Sequence, residues 1–156
     1  MDQSGRAEDW TGQGNADDPA AELEEVTVGQ GEQPEALSLR WHTYRKAQKW
    51  HACMAVASAL TASFSDNPCG WISMAQTLYH THRIADAYDI GISKAKEFPD
   101  SCQLLYNTAC YACLLGKRGE AEDYLRLAMT AGDADAIKQQ ALEDPDLAAL
   151  WQPETD

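Results

Sequence analysis

The chain has 156 residues and a formal net charge of −13, and this length is sufficient for one domain with its own apolar core. Because so acidic a chain repels phosphate backbones, we expect no nucleic-acid partner. No apolar run is long enough to cross a bilayer and the N-terminus lacks the basic and apolar stretches of a secretory signal, so we expect neither a membrane partner nor export.

The segment 1–34 differs from the rest of the chain. It holds nine Asp or Glu and one Arg, and its apolar residues follow neither a helical nor a strand period. Such a segment cannot bury enough apolar surface to offset its chain entropy. We therefore predict a disordered acidic tail over 1–34 and a helical domain over 35–156.

From Pro34 onward, apolar residues recur at spacings of three and four and β-branched runs are absent, which predicts an all-α fold. Asn67 before Pro68, Asp100 or Ser101, and Asp144 before Pro145 are typical of helix starts. Gly116 is typical of a left-handed helix end. The predicted helices are 35–47, 50–63, 69–81, 84–97, 102–115, 118–131, 134–142 and 145–151.

An internal repeat is visible when the chain is aligned with itself. The stretch "SFSDNPCGW" at 63–71 aligns with "EFPDSCQLL" at 97–105. At the same shift, small residues recur where two antiparallel helices would touch, which permits close helix approach. They are Ala75, Ala87, Ala109 and Ala121. One helix pair cannot bury its apolar face alone, but stacked pairs share a continuous core.

This pattern resembles the tetratricopeptide repeat (TPR), a helix–turn–helix unit of about 34 residues. The signature positions of one unit hold Trp71, Met74, Ala75, Leu78, Ala87 and Pro99, and those of the next hold Leu105, Ala109, Ala112, Gly116, Ala121, Leu125 and Ala128. Trp41, His82 and Gly91 depart from the pattern. The resemblance implies a right-handed superhelical stack of about three hairpins, with capping helices over 134–151.

In such a stack the first helix of each pair lines a concave groove. The resemblance therefore implies a non-enzymatic protein–protein interaction module, a scaffold that holds a peptide or helix. Tyr79 and Tyr106 would be its anchors, and Gln76 and Asn107 would reach peptide backbone. The full set of predicted partner-binding residues is His42, Arg45, Gln76, Tyr79, His80, Gln103, Tyr106 and Asn107. Alternatively, these residues only face solvent or neighbouring repeats.

Two partner classes stand beside this general interpretation. TPR proteins that grip the acidic C-terminal tails of heat-shock chaperones use Lys, Asn and Arg in the groove, whereas this chain has Ser38, His42, Ser73, Gln103 and Asn107 at those places. We therefore do not expect a heat-shock chaperone tail as the partner. A small acidic secretion-type chaperone is the alternative function, since some such chaperones resemble this chain in repeat type, size and charge.

The cysteines raise a third alternative, a metal or redox protein that uses the pair Cys110 and Cys113. Zinc sites usually draw on two such pairs, and a redox pair usually opens a helix after a strand. Neither context is present, so small apolar residues in a helix are the favoured interpretation. All five cysteines lie in apolar segments, which predicts reduced thiols in a cytoplasmic protein. His80 and His82 would point in different directions on a helix, so they would chelate a metal poorly.

We expect no cofactor.

Basic residues cluster at the start of the helical region. Arg40, Arg45, Lys46 and Lys49 lie on or just after the first predicted helix. A solvated face is the ordinary interpretation of such a cluster. The sharper hypothesis is that this face binds an acidic partner or, transiently, the acidic tail of the same chain.

Overall fold

The computed structural model describes residues 32–153. All but the end of the predicted acidic tail falls outside this range, so the prediction of disorder over 1–34 remains a prediction. Between residues 32 and 153 the chain forms helices and no strand, which confirms the all-α fold class. None of the described helices is both long and apolar enough to cross a membrane.

The helices begin and end within one residue of the predicted bounds. They are α1 Pro34–Lys46, α2 Trp50–Ser63, α3 Pro68–His80, α4 Ile84–Glu97, α5 Cys102–Leu114, α6 Arg118–Ala131, α7 Ala134–Glu143 and a 3₁₀ helix over Pro145–Trp151. The last element is 3₁₀ rather than α, as is common for a run of one or two turns. Its short length limits the number of i→i+4 bonds that an α-helix would gain.

The predicted caps hold these helix starts in place. The Asn67 side chain accepts a hydrogen bond from the backbone N–H of Cys69 at 2.9 Å. Of the two candidates before α5, Ser101 is the cap, because its Oγ accepts from Leu104 N at 3.4 Å. Asp144 caps the 3₁₀ helix. Each side chain supplies an acceptor to a backbone donor that the helix itself leaves unpaired.

The turns after α1, α3 and α5 share one backbone geometry and lie one repeat apart. Gln48, His82 and Gly116 occupy equivalent positions and have φ angles of 57°, 66° and 78°. The next N–H in each turn closes the same bond, from Lys49 to Tyr44 O at 2.9 Å, Arg83 to Leu78 O at 2.8 Å and Lys117 to Ala112 O at 2.9 Å. His82 thus adopts the left-handed conformation despite its side chain. The repeat period seen in the sequence is present in the local backbone.

The chain divides into two compact units, unit 1 ending at Ser73 and unit 2 beginning at Met74 within α3. The core of unit 1 consists of Leu37, Trp41, Cys53, Val56 and Leu60. Trp41, which departs from the repeat pattern, is only 1% exposed and fills this core. The thiol of Cys53 donates to the Trp41 carbonyl at 3.7 Å, so this cysteine is a buried structural residue.

Unit 2 is organised around α5, which packs against α4, α6 and the 3₁₀ helix. The small residues predicted at helix contacts are fully buried there: Ala87, Ala109 and Ala121 are each 0% exposed. Eight residues of α5 are buried in all, namely Leu104, Leu105, Tyr106, Thr108, Ala109, Cys110, Tyr111 and Ala112. Because α5 is buried on most of its circumference, the neighbouring helices hold it in place. The positions of its side chains are therefore fixed as well.

The glycine at position 91 is explained by the approach of α4 to α5. A Cβ atom at Gly91 would lie 2.9 Å from Cγ2 of Thr108, closer than carbon atoms normally approach. Thr108 is 0% exposed and its hydroxyl donates to Leu104 O at 2.7 Å, so its side chain is fixed. The bulkier residue usual at this repeat position would clash with it.

We predict that Gly91→Ala destabilises the protein by about 1–3 kcal/mol, because the added methyl group overpacks the contact with Thr108. Gly119→Ala is the matched control. A Cβ atom at Gly119 meets nothing within 4 Å, so this change should leave stability unchanged or raise it by up to about 1 kcal/mol. Chemical denaturation followed by circular dichroism measures both. Equal effects of the two substitutions would contradict the packing explanation.

Candidate functional site

The C-terminal segment of unit 2, Asp144–Gln152, lies against α5 and the end of α3. The Tyr106 hydroxyl donates to Oδ2 of Asp144 at 2.8 Å, and the Tyr79 hydroxyl donates to Oδ2 of Asp146 at 2.8 Å. Oδ1 of Asp144 accepts from the backbone N–H of Asp146 at 3.0 Å, which fixes the turn between them. The two predicted anchor tyrosines therefore hold a segment of their own chain.

The two tyrosines differ in how much surface they offer. Tyr106 is 5% exposed, whereas Tyr79 is half-buried, with its ring centroid 5.8 Å from that of Tyr111. Burial and the hydrogen bond to Asp146 raise the pKa of Tyr79 to about 12. Burial and the bond to Asp144 raise the pKa of Tyr106 further, so both hydroxyls remain protonated donors at neutral pH. That either ring binds a partner stays a prediction.

Arg118, at the start of α6, binds the other end of the C-terminal segment. Its guanidinium group donates to three backbone carbonyls: Ala149 O at 2.9 Å, Leu150 O at 3.0 Å and Gln152 O at 3.1 Å. These carbonyls end the 3₁₀ helix, where a cation is favoured by the helix dipole. This role of Arg118 was not predicted, because no sequence pattern links Arg118 to a segment so much later in the chain.

A polar stripe runs along one face of α5 at four-residue spacing. Nε2 of Gln103 donates to Oδ1 of Asn107 at 3.1 Å. Nδ2 of Asn107 is buried and has no hydrogen-bond partner among the described residues, and the same is true of the Tyr111 hydroxyl. A buried polar atom without a partner costs about 1–3 kcal/mol, so each one calls for an explanation.

The structure separates the two thiols of the CxxC pair. Cys110 is buried and donates from Sγ to Oδ2 of Asp144 at 3.8 Å, and the Sγ atom lies within 4.8 Å of carboxylate oxygens of both Asp144 and Asp146. Cys113 is not part of this cluster. Burial raises the pKa of Cys113. Hydrogen bonds from backbone N–H groups of the C-terminal segment partly offset this rise.

The surroundings of Cys110 favour the protonated form of its thiol. Burial, Asp144 and Asp146 all raise the pKa of Cys110, whereas a reactive thiol needs a lowered pKa. None of the five cysteines forms a disulfide. A neutral Cys110 thiol that donates to a carboxylate is a structural hydrogen-bond donor.

The remaining predicted residues lie in different places. Gln76 and His80 are half-buried on α3, and the His80 ring meets the Tyr79 ring edge-on at 4.9 Å. His42 and Arg45 are exposed on α1 and belong to unit 1. His42 borders an open cleft of about 410 Å³ in that unit, lined by Pro34, Glu35, Ser38, Leu39, Asn67 and Cys69. Among the predicted residues of unit 2, Tyr79 and Tyr106 contact the same C-terminal segment, and Gln103 and Asn107 contact each other.

No protein-family model matches the chain, and no curated protein matches it either. The tetratricopeptide resemblance therefore stays a prediction from the sequence. What the site can do follows from its own geometry.

We predict that Arg118→Ala loosens the C-terminal segment, because it removes three charge-assisted hydrogen bonds that no neighbouring group replaces. Amide hydrogen exchange over residues 144–152 should become at least tenfold faster, while exchange in α4 changes little. Asp123→Ala is the control, since it removes an exposed ion pair, with Arg126, on the same helix. Unchanged protection in the Arg118 variant would show that the three Arg118 hydrogen bonds do not stabilise the C-terminal segment.

Proposed function

We propose that the chain is a non-enzymatic helical-repeat protein that binds an extended segment of a partner protein, and that α5 carries the main contact in unit 2. One observation carries the proposal: Nδ2 of Asn107 is a buried hydrogen-bond donor without a partner among residues 32–153. Native proteins rarely leave such a donor unpaired. A backbone carbonyl of a bound peptide would satisfy it once the side chains that cover Nδ2 move aside.

The neighbouring Gln103 fixes the orientation of this donor. Because Gln103 donates to Oδ1 of Asn107, the amide is held with its Nδ2 group directed away from that bond. A preorganised donor loses little side-chain entropy on binding, so more of its hydrogen-bond energy contributes to affinity. Asn107 is also the residue that the TPR resemblance assigns to contact with peptide backbone.

The repeated turn geometry supports the same function. The three turns, with equal φ signs and equal hydrogen bonds, recur at positions 48, 82 and 116, as a stack of TPR-like hairpins requires. In a right-handed superhelical stack of this kind, the first helix of each hairpin would line the concave surface, and in unit 2 that helix is α5. Gln76 and the half-buried ring of Tyr79 on α3 would then extend the contact along the peptide from Asn107.

The C-terminal segment refines the roles of the two anchors. The hydroxyls of Tyr79 and Tyr106 are already bonded to Asp146 and Asp144, so they are not free to bind a partner. In the proposed site, Tyr79 contributes the face of its ring. Tyr106 contributes by holding the C-terminal segment that shapes the surface.

We predict opposite effects of Asn107→Leu on stability and binding. Removal of an unpaired buried amide should stabilise the fold by about 1 kcal/mol, whereas loss of the donor should weaken partner capture about tenfold. Thermal unfolding measures the first effect. Affinity purification with quantitative mass spectrometry, using wild-type protein as the reference, measures the second. Asn107→Asp, which keeps the shape but removes the donor, should also weaken capture.

Leu127→Ala serves as the control variant, since Leu127 is a 50% exposed residue on α6 outside the polar stripe. Its capture profile should match that of the wild type. Capture that is equally strong in the Asn107 variants and the wild type would remove α5 from the binding site. A single dominant client in the purification would favour the secretion-type chaperone alternative over a scaffold with several partners.

A further inference from the structure

We propose that Cys110, Asp144 and Asp146 bind one zinc-type divalent cation at the junction of α5 and the C-terminal segment. This site is independent of the proposed peptide-binding function. It also differs from the Cys110 and Cys113 pair considered from the sequence, because only the first of those thiols takes part.

The three groups lie close enough together to reach one tetrahedral ion after small side-chain movements. The Cys110 sulphur and the oxygens of Asp144 and Asp146 all lie within 4.8 Å of one another, and Sγ to Oδ2 of Asp144 is 3.8 Å. Zinc with one Zn–S bond of about 2.3 Å and Zn–O bonds of about 2.0 Å holds sulphur and oxygen roughly 3.5 Å apart. The pair Sγ and Oδ2 of Asp144 would approach by a few tenths of an ångström on binding, and the separations to Asp146, which lie within 4.8 Å, would shorten by up to about 1.5 Å.

The carboxylates are positioned as metal ligands usually are. Tyr106 donates to Asp144 and Tyr79 donates to Asp146, each at 2.8 Å. Outer hydrogen bonds of this kind orient ligating carboxylates and raise metal affinity. No Lys or Arg in the described part of the chain forms an ion pair with Asp144 or Asp146. The charge of the pair is thus available to a cation.

Tyr111 supplies an independent sign of a missing ligand. Its side chain is 3% exposed and its hydroxyl has no hydrogen-bond partner within the described chain. Its ring centroid lies 5.8 Å from that of Tyr79, whose hydroxyl binds Asp146, so Tyr111 adjoins the cluster. Zinc held by three protein ligands keeps a water molecule in its fourth position. That water would give the Tyr111 hydroxyl the partner that it lacks.

The donor set selects the type of cation. One sulphur with two carboxylate oxygens fits zinc and its cobalt analogue, whereas Ca²⁺ requires six or more oxygen ligands and Mg²⁺ an octahedral oxygen shell. Binding replaces the proton of the Cys110 thiol: the sulphur–metal bond forms, and the proton passes to solvent. The thiol's hydrogen bond to Asp144 is exchanged for a shared metal ion.

The test uses the full chain, freed of metal by a chelator and titrated with Co²⁺ alone. We expect one Co²⁺ per chain, a thiolate-to-cobalt charge-transfer band in the near ultraviolet, and displacement by Zn²⁺ but not by excess Ca²⁺ or Mg²⁺. Cys110→Ser should abolish the band and weaken binding at least tenfold. Cys113→Ser, the matched control within the same pair, should retain both.

Two further variants keep the result interpretable. Asp146→Asn should weaken Co²⁺ binding at least tenfold, and Tyr111→Phe should weaken it severalfold with the stoichiometry unchanged. Circular dichroism confirms that each variant is folded, and Cys110→Ala replaces Cys110→Ser if the latter is not. Absence of the band in the wild-type chain would overturn the proposal. So would equal loss of the band in both cysteine variants, or binding that Cys110→Ser leaves intact.

Discussion

Unit 2 depends on the way in which its C-terminal segment is held against α5. Tyr106 and Tyr79 bind the carboxylates at one end of the segment, and Arg118 binds the carbonyls at its other end. Between these points Leu147 and Leu150 are buried, so the segment completes the apolar core as well as the polar contacts. Because short 3₁₀ helices have little stability of their own, these tertiary contacts determine where the segment lies.

The same arrangement gives α5 two chemically distinct surfaces. Cys110 and Tyr106, four positions apart, face the acidic turn of the C-terminal segment, whereas Gln103 and Asn107 form the polar stripe. We propose a peptide carbonyl as the partner of the second surface and a divalent cation as the partner of the first. The two surfaces lie on one buried helix but use different residues, so each proposed ligand would bind without the other.

Much of the local structure was determined by the sequence itself. Helix bounds follow from apolar spacing and from caps such as Asn67 and Ser101, whose effects reach only a few residues along the chain. The repeat period is likewise expressed locally, since each turn is closed by bonds between residues that are near neighbours in the chain. The positions of buried alanines, Ala109 and Ala121 among them, follow from that period.

Only the tertiary structure decided which distant groups meet. Tyr79 is far from Asp146 in the chain, and Tyr106 is far from Asp144, so no sequence pattern predicted that the anchor tyrosines hold the chain's own C-terminal segment. Nor does spacing show that Cys110 turns toward two carboxylates while Cys113 does not. Local periodicity specifies the face of a helix on which a residue lies, but the partner of that face depends on how the chain folds back. Packing alone brought Asp144 and Asp146 to Cys110, and packing alone left Asn107 with an unpaired donor in the described chain.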